Sequence, residues 1–295
     1  MQARAGTRER MAQLGPQVMR SLMPEQHRAF YPLLPFVALG AHDETGRPWA
    51  TLLAGRAGFV SSPDPTRLRV EALPPPGDPL VSALHPGARF GLLGIQLETR
   101  RRNRANGVVA ERDARGLTLH VEQSFGNCPK YIQRRDALPV VEFAAATPAR
   151  RGDRLDAASA ALARAADTFF IATHAANGAC DVSHRGGRPG FARVDRGGRA
   201  LTWPDFAGNG FFNTLGNIAA APEAALVFPD FADGTLLHVA GRAEIAWDGA
   251  ALDGFAGAER LVRLAIDHVV LRPQALPLRW RLVETSPVLE GTGVW

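Results

Sequence analysis

Val37-Ala38-Leu39-Gly40-Ala41-His42 and Phe169-Phe170-Ile171-Ala172-Thr173-His174 read as one buried strand written twice, 132 residues apart. Carried forward without a gap, that offset sets Gly46 over Gly178, Gly55 over Gly187, Arg56 over Arg188, Gly58 over Gly190 and Phe59 over Phe191. Glycine is needed where the backbone takes a positive φ or packs too closely for a side chain, so a shared glycine spacing points to a shared fold. Asp43-Glu44-Thr45-Gly46 and Ala175-Ala176-Asn177-Gly178 then supply hairpin turns. Leu68-Arg69-Val70 falls over Ala200-Leu201-Thr202. A small insertion moves the offset to 134, where Arg89-Phe90-Gly91-Leu92-Leu93 meets Glu223-Ala224-Ala225-Leu226-Val227 and Gly107 meets Gly241. After an insertion near Asp248 to Gly257, Phe125-Gly126-Asn127-Cys128-Pro129 meets Val269-Val270-Leu271-Arg272-Pro273 at an offset of 144.

Each half alternates short apolar runs with glycine and proline punctuation and places a short helix after its early strands, which predicts a small antiparallel barrel. The expected class is mainly β with short helices. A chain of 295 residues can build two cores of ordinary size. The join falls near Ala144 to Asp153, giving domains of residues 1–150 and 151–295. Alanine-rich Ala157 to Ala166 predicts a helix capped by Asp153 or Asp156. Residues 7–29 read as a leading helix interrupted at Gly15-Pro16, with Met11, Leu14, Val18 and Leu22 as its buried stripe.

Composition narrows the function. With 46% hydrophobic and 21% charged residues the chain is globular rather than disordered. The apolar stretch from Ala29 to Ala41 is short and broken by Pro32 and Pro35, so neither a signal peptide nor a membrane span is expected. Cys128 and Cys180 are too few for a disulfide framework, which points to a reducing cytoplasm. The net charge of +5 is almost all arginine, Lys130 being the single lysine. Arginines cluster once, at Arg100, Arg101, Arg102 and Arg104, without the aromatic series that stacks on bases, so no nucleic-acid partner is expected. His42, His174, His184, His238 and His268 show no metal-ligand spacing, and no Ser-His-Asp order, P-loop or dinucleotide fingerprint is present.

Three segments can carry chemistry. In Asp181-Val182-Ser183-His184-Arg185-Gly186-Gly187-Arg188-Pro189-Gly190-Phe191, strand alternation puts Ser183 and Arg185 on one face. A hydroxyl and a guanidinium there make a phosphate clamp, or an ordinary solvated hairpin. In Trp203-Pro204-Asp205-Phe206-Ala207-Gly208-Asn209-Gly210-Phe211-Phe212-Asn213-Thr214-Leu215-Gly216-Asn217-Ile218, Asn209 is the expected cap of a short helix, with Asn213 and Asn217 on one face. A helix start attracts anions, although a merely amphipathic linking helix fits the same pattern. Phe125-Gly126-Asn127-Cys128-Pro129-Lys130-Tyr131-Ile132-Gln133 contains no partner that would activate Cys128, which reads as a pocket wall.

Together with Ala166-Asp167-Thr168-Phe169-Phe170-Ile171-Ala172-Thr173, these segments resemble the pyridoxamine phosphate oxidase-like, flavin-nucleotide-binding split barrels. The resemblance covers most of the chain. It implies two tandem antiparallel split β-barrels forming an intrachain pseudo-dimer, with FMN at the seam. Ser183, Arg185, Gly187, Arg188, Trp203, Asp205, Asn209 and Asn213 are then expected around the phosphate and ribityl chain, and Arg102, Arg104, Cys128 and Lys130 on the other side of the flavin. In the first half Thr51 and Leu53 stand for Ser183 and Arg185, and Asp78 stands for Asn209, so one flavin site per chain is expected. The implied activity is an FMN-dependent oxidoreductase acting on a small molecule, with NADH or NADPH as candidate reductant, as monomer or homodimer. No vitamin B6 substrate pattern is found. The alternative is a non-catalytic protein holding FMN, FAD or haem for storage, sensing or transfer, with His174 or His184 offered as a haem ligand.

Overall fold

A computed structural model describes residues 1–138 and 147–295. Helices α1 (Arg8–Val18) and α2 (Glu25–Arg28) lead into seven strands: β1 (Phe36–His42), β2 (Pro48–Ala54), β3 (Val60–Asp64), β4 (Arg67–Val70), β5 (Arg89–Gln96), β6 (Arg101–Arg112) and β7 (Leu117–Gly126). After β8 (Arg134–Leu138), β9 (Arg150–Gly152) and α3 (Ala157–Ala165) come β10 (Thr168–His174), β11 (Cys180–Gly186), β12 (Arg193–Val194) and β13 (Ala200–Phe206). The chain continues through α4 (Asn213–Ala220), β14 (Glu223–Pro229), β15 (Leu236–Ala246), α5 (Ala250–Asp253), β16 (Ala258–Arg272) and β17 (Arg279–Glu284).

The duplication is written in the strand order. The first sheet runs β2-β1-β5-β6-β7-β4-β3 and the second β11-β10-β14-β15-β16-β13-β12, the same order strand for strand, and every named pairing is antiparallel. Even the irregularities repeat. Both long hairpins slip register at a glycine, Gly107 in β6 and Gly241 in β15. A Cβ there would stand 2.0 Å from the His120 carbonyl oxygen or 1.9 Å from that of Ala265, so only glycine passes the bulge.

The two sheets pack against each other through an apolar seam. Phe36, Ala38, Leu93 and Ile95 from the first meet Phe170, Ala172, Val182 and Val227 from the second. At Gly91 in β5 the contact becomes backbone on backbone, since an added Cβ would lie 2.8 to 2.9 Å from the Asp181 main chain. This approach brings β11 alongside the first sheet and so positions the site described below.

Several local expectations need correction. The helix α1 passes through Gly15-Pro16 instead of breaking there, and of the expected stripe only Met11 is buried while Leu22 is exposed. It packs where it does because Thr7 and Met11 contact Gly210 of the second half. Of the two caps offered for α3, Asp156 serves, its carboxylate accepting the Ser159 amide at 2.8 Å. The expected join falls partly on residues 139–146, outside the described residues. On either side of it the halves interleave, with β8 pairing β17 and β9 pairing β16.

Candidate functional site

Alternation along β11 sends Asp181, Ser183 and Arg185 to one face, and alternation along β6 does the same for Arg102, Arg104 and Asn106. Because Gly91 lets the sheets close, these two rows confront each other. The Arg104 guanidinium donates through Nη1 to both Asp181 carboxylate oxygens, at 2.8 and 2.9 Å, and through Nη2 to the Ser183 hydroxyl at 2.6 Å. Thr214, on the first turn of α4, donates to the same Ser183 oxygen at 2.7 Å, and Ser183 in turn donates to Asp181 at 3.4 Å. Asn106 adds a contact to Asp181 at 3.3 Å. The Ser183 oxygen thus uses its full hydrogen-bonding capacity.

Beside this cluster opens a cleft of about 230 Å³. Its walls carry five basic side chains, Arg102, Arg104, Lys130, Arg185 and Arg260, against two acids, Asp205 and Glu259, with Asp181 behind as a third. Arg260 donates to Asp205 at 3.0 Å and pairs with Glu259, while Arg185 stands 4.0 Å from Asp205. Among the described residues, the Arg102 side chain hydrogen-bonds only to Cys128, its Nη2 meeting the sulfur at 3.8 Å. Its Nε donates to the Cys128 carbonyl at 2.8 Å, and among the described residues it forms no ion pair. Burial lowers its pKa to about 10; the Cys128 sulfur acts the other way, and the nearby Arg104 and Arg185 charges add to the lowering. Arg185 is pushed down by burial too, against the pull of Asp205, and burial raises Asp205 despite its two arginines. The Nε of Arg104 is buried without a partner. A desolvated, repelling group of cations with open donors is chemistry that awaits an anion.

Helix α4 begins at the cleft, but Asn209 does not cap it. The helix starts at Asn213 after Phe212 in a left-handed conformation (φ 58°), and the Asn209 side chain instead accepts the Phe211 amide at 3.1 Å within the preceding turn. Asn213 lines the cleft, whereas Asn217 turns away to donate to Thr173 at 3.1 Å. The helix N-terminus still faces the cleft, with its uncapped amides.

Nine of the twelve residues singled out in the sequence line this cleft: Arg102, Arg104, Cys128, Lys130, Ser183, Arg185, Asp205, Asn209 and Asn213. Three do not. Trp203 is 1% exposed and set edge-on to Phe169 in the second core. Gly187 lies against the Phe191 ring, and Arg188 reaches the Thr292 carbonyl at 3.4 Å. Sequence reasoning missed Asp181, which sits two residues before Ser183 and was legible by alternation, and Thr214, Tyr131 and Arg260. It also missed the N-terminal arm, whose Ala5 and Thr7 line the cleft while Thr7 and Gln2 donate to the Gly210 and Phe211 carbonyls. Nothing local in residues 1–7 signals that docking.

Of the histidines, only His184 lines the cleft. His174 packs edge-on against His42, at 4.6 Å between ring centroids, and lies outside the cleft lining. The His184 ring stacks edge-on to Phe170, and burial with Arg102, Arg185 and Arg135 nearby holds it neutral, its pKa well below the usual value. Among the described residues no group of three His, Cys, Asp or Glu side chains is arranged to hold a metal, and no helix is long and apolar enough to cross a membrane.

Residues 155–281 match the family model described as Pyridoxamine 5'-phosphate oxidase. No match emerges among curated proteins. Among solved structures, a protein described as a pyridoxamine 5'-phosphate oxidase from Lactobacillus delbrueckii is 21% identical, over 40% of this chain and 94% of its own, with a TM-score of 0.34. The HupZ protein of Group A Streptococcus is 16% identical over 39% of this chain and 98% of its own, TM-score 0.32. General Stress Protein 26 of Bacillus anthracis is 10% identical over 41% and 93%, TM-score 0.28.

Proposed function

We propose that this chain, whose residues 155–281 match the Pyridoxamine 5'-phosphate oxidase family model, is an FMN-dependent oxidoreductase of the flavin-binding split-barrel kind, with its flavin in the cleft between the sheets. The observation that carries this is the excess of cations: Arg102, Arg104, Lys130, Arg185 and Arg260 converge on one cleft against three carboxylates, Asp181, Asp205 and Glu259. A phosphate monoester supplies that missing charge, and the planar forks of arginine match its oxygens. In this reading Arg102 and Arg185 hold the phosphate with Asn213 and the α4 amides. Arg104 is a positioning residue, locked by Asp181 and Ser183 so that this wall of the cleft is fixed. Cys128 and Lys130 form the facing wall, and the arm at Ala5 and Thr7 helps exclude water.

FMN bound there would supply hydride chemistry at its ring, and the protein's part is to orient the ring and keep competing reactions out. The same charge balance admits FAD, whose pyrophosphate would meet the same arginines. For haem, His174 lies outside the cleft lining, while His184 lines the cleft with its Nε2 buried and unpartnered among the described residues. The substrate is a small molecule, with NADH or NADPH as reductant. The halves, residues 1–150 and 151–295, supply both sides of the seam, so one chain completes the site. Two cysteines standing apart as free thiols support a cytoplasmic setting.

The test is direct. Protein purified from a flavin-replete host should show flavin absorption bands, release FMN by mass after denaturation, and bleach on addition of NADH or NADPH with recovery in air. Absence of flavin combined with no binding of added FMN would sink the proposal. Flavin that binds but is never reduced by either nucleotide would make the protein a carrier.

A further inference from the structure

The strand-for-strand duplication requires the first half to own a counterpart of the anion cleft, at the places occupied by Thr51, Leu53 and the segment beginning at Asp78. The three arginines are gone there. Leu53 stands for Arg185, and at the offset fixed by the Gly107 and Gly241 bulges Leu236 and His238 stand for Arg102 and Arg104. One arginine has come back from another direction, Arg272 at the end of β16.

We infer that the Asp78 carboxylate is a resident anion, filling from within the chain the first half's copy of the anion site. Asp78 is completely buried, as is Thr51. Its Oδ2 accepts the Thr51 hydroxyl at 2.5 Å and the Arg272 guanidinium at 2.5 Å, and its Oδ1 accepts the Leu80 amide at 2.9 Å. A hydroxyl from the strand equivalent to β11, a guanidinium and a backbone amide are the donor types that surround an exogenous anion elsewhere. Thr51 donates its hydroxyl to Asp78 as its counterpart Ser183 donates to Asp181. The inference rests on reading the second-half cleft as an anion site, and it explains why the duplicated chain has one working cleft. A second hollow of about 320 Å³, lined by Trp49, Asp78, Arg151 and His268, lies against the same spot.

If the carboxylate is a captive ligand, a free one can replace it. Shortening the side chain in Asp78→Ser leaves the Arg272 donors facing a space where a small monoanion fits, and formate is the probe. In chloride buffer Asp78→Ser should melt at least 5 °C below the parent protein. Sodium formate should then raise its Tm saturably by more than half of that loss, with sodium chloride at equal ionic strength as control. The parent should gain much less, and the response should vanish in Asp78→Ser combined with Arg272→Met. A formate response no larger than the parent's overturns the inference. So does an Asp78→Asn protein as stable as the parent, because the isosteric amide keeps the shape and removes the charge; that arm decides the matter should Asp78→Ser not fold. None of these measurements uses flavin, so their failure is distinguishable from failure of FMN binding in the parent chain.

Discussion

Arg104 and Asp181 lie on strands of different sheets and are joined across the seam by two hydrogen bonds of 2.8 and 2.9 Å, with both side chains more than 90% buried. This pair is the point at which packing of the two halves becomes geometry of the site. Removing one member of a buried pair leaves the other charged and unpaired. Arg104→Ala should therefore cost about 3–5 kcal/mol of stability, read by urea denaturation, and should abolish flavin retention.

Arg102 should behave in the opposite way. Among the described residues it carries no ion pair, and it is pressed by neighbouring cations, so Arg102→Met should leave the Tm of the flavin-free protein unchanged or raised. The same change removes a charged donor to the ligand, worth about 1.5–3 kcal/mol, and should weaken FMN binding roughly tenfold to a hundredfold by fluorescence titration. A large loss of stability with unchanged affinity would make Arg102 a structural residue.

Gly91 sets the distance between the sheets. In Gly91→Ala the new methyl would press on the Asp181 main chain from 2.8 Å, and overpacking of this kind costs about 1–3 kcal/mol. Because the strain falls on the strand that carries Ser183 and Arg185, FMN affinity should fall together with Tm. An unchanged flavin affinity would show that the site does not depend on this approach.

Acid should destabilise the protein before its carboxylates titrate. His238 is buried, and its Nδ1 donates to the Ala50 carbonyl at 2.8 Å. Burial lowers its pKa to about 4, with Asp78 pulling upward and Arg272 pushing downward. An unfolded histidine titrates near 6.5. Between those values the unfolded chain binds a proton that the folded chain refuses, so stability falls as the pH falls from about 6.5 to 4, by about 3 kcal/mol from this residue, and is flat above. His27, His42 and His184 are shifted in the same direction, while Asp205, shifted upward, opposes them at the acid end. Urea midpoints at pH 7 and pH 5 should differ in this sense, and His238→Gln should narrow the difference.

The fold was legible because its signals are local. Gly46 and Gly178, both at φ 79°, mark hairpins by a requirement of the backbone itself, and Gly107 and Gly241 mark bulges in the same way. Ser183 and Arg185 were legible together because a strand alternates. Asn209 misled, since an asparagine before a helix looks like its cap and only the left-handed Phe212 shows that the helix starts later. Trp203 misled because a strand beside a cleft also faces a core, and sequence alone does not say where one gives way to the other.

From the chain of residues alone came the duplication, the strand and turn rhythm and the faces on which Ser183, Arg185, Arg102 and Arg104 lie, all consequences of conformational preferences acting over a few residues. Only the tertiary structure decided which charges neutralise one another: Arg104 with Asp181, Arg272 with Asp78, and Arg102 with none among the described residues. Ion pairing in a dry interior depends on separations of a few ångströms between strands distant in sequence. Those separations are set by how closely the two sheets pack, down to the missing side chain at Gly91.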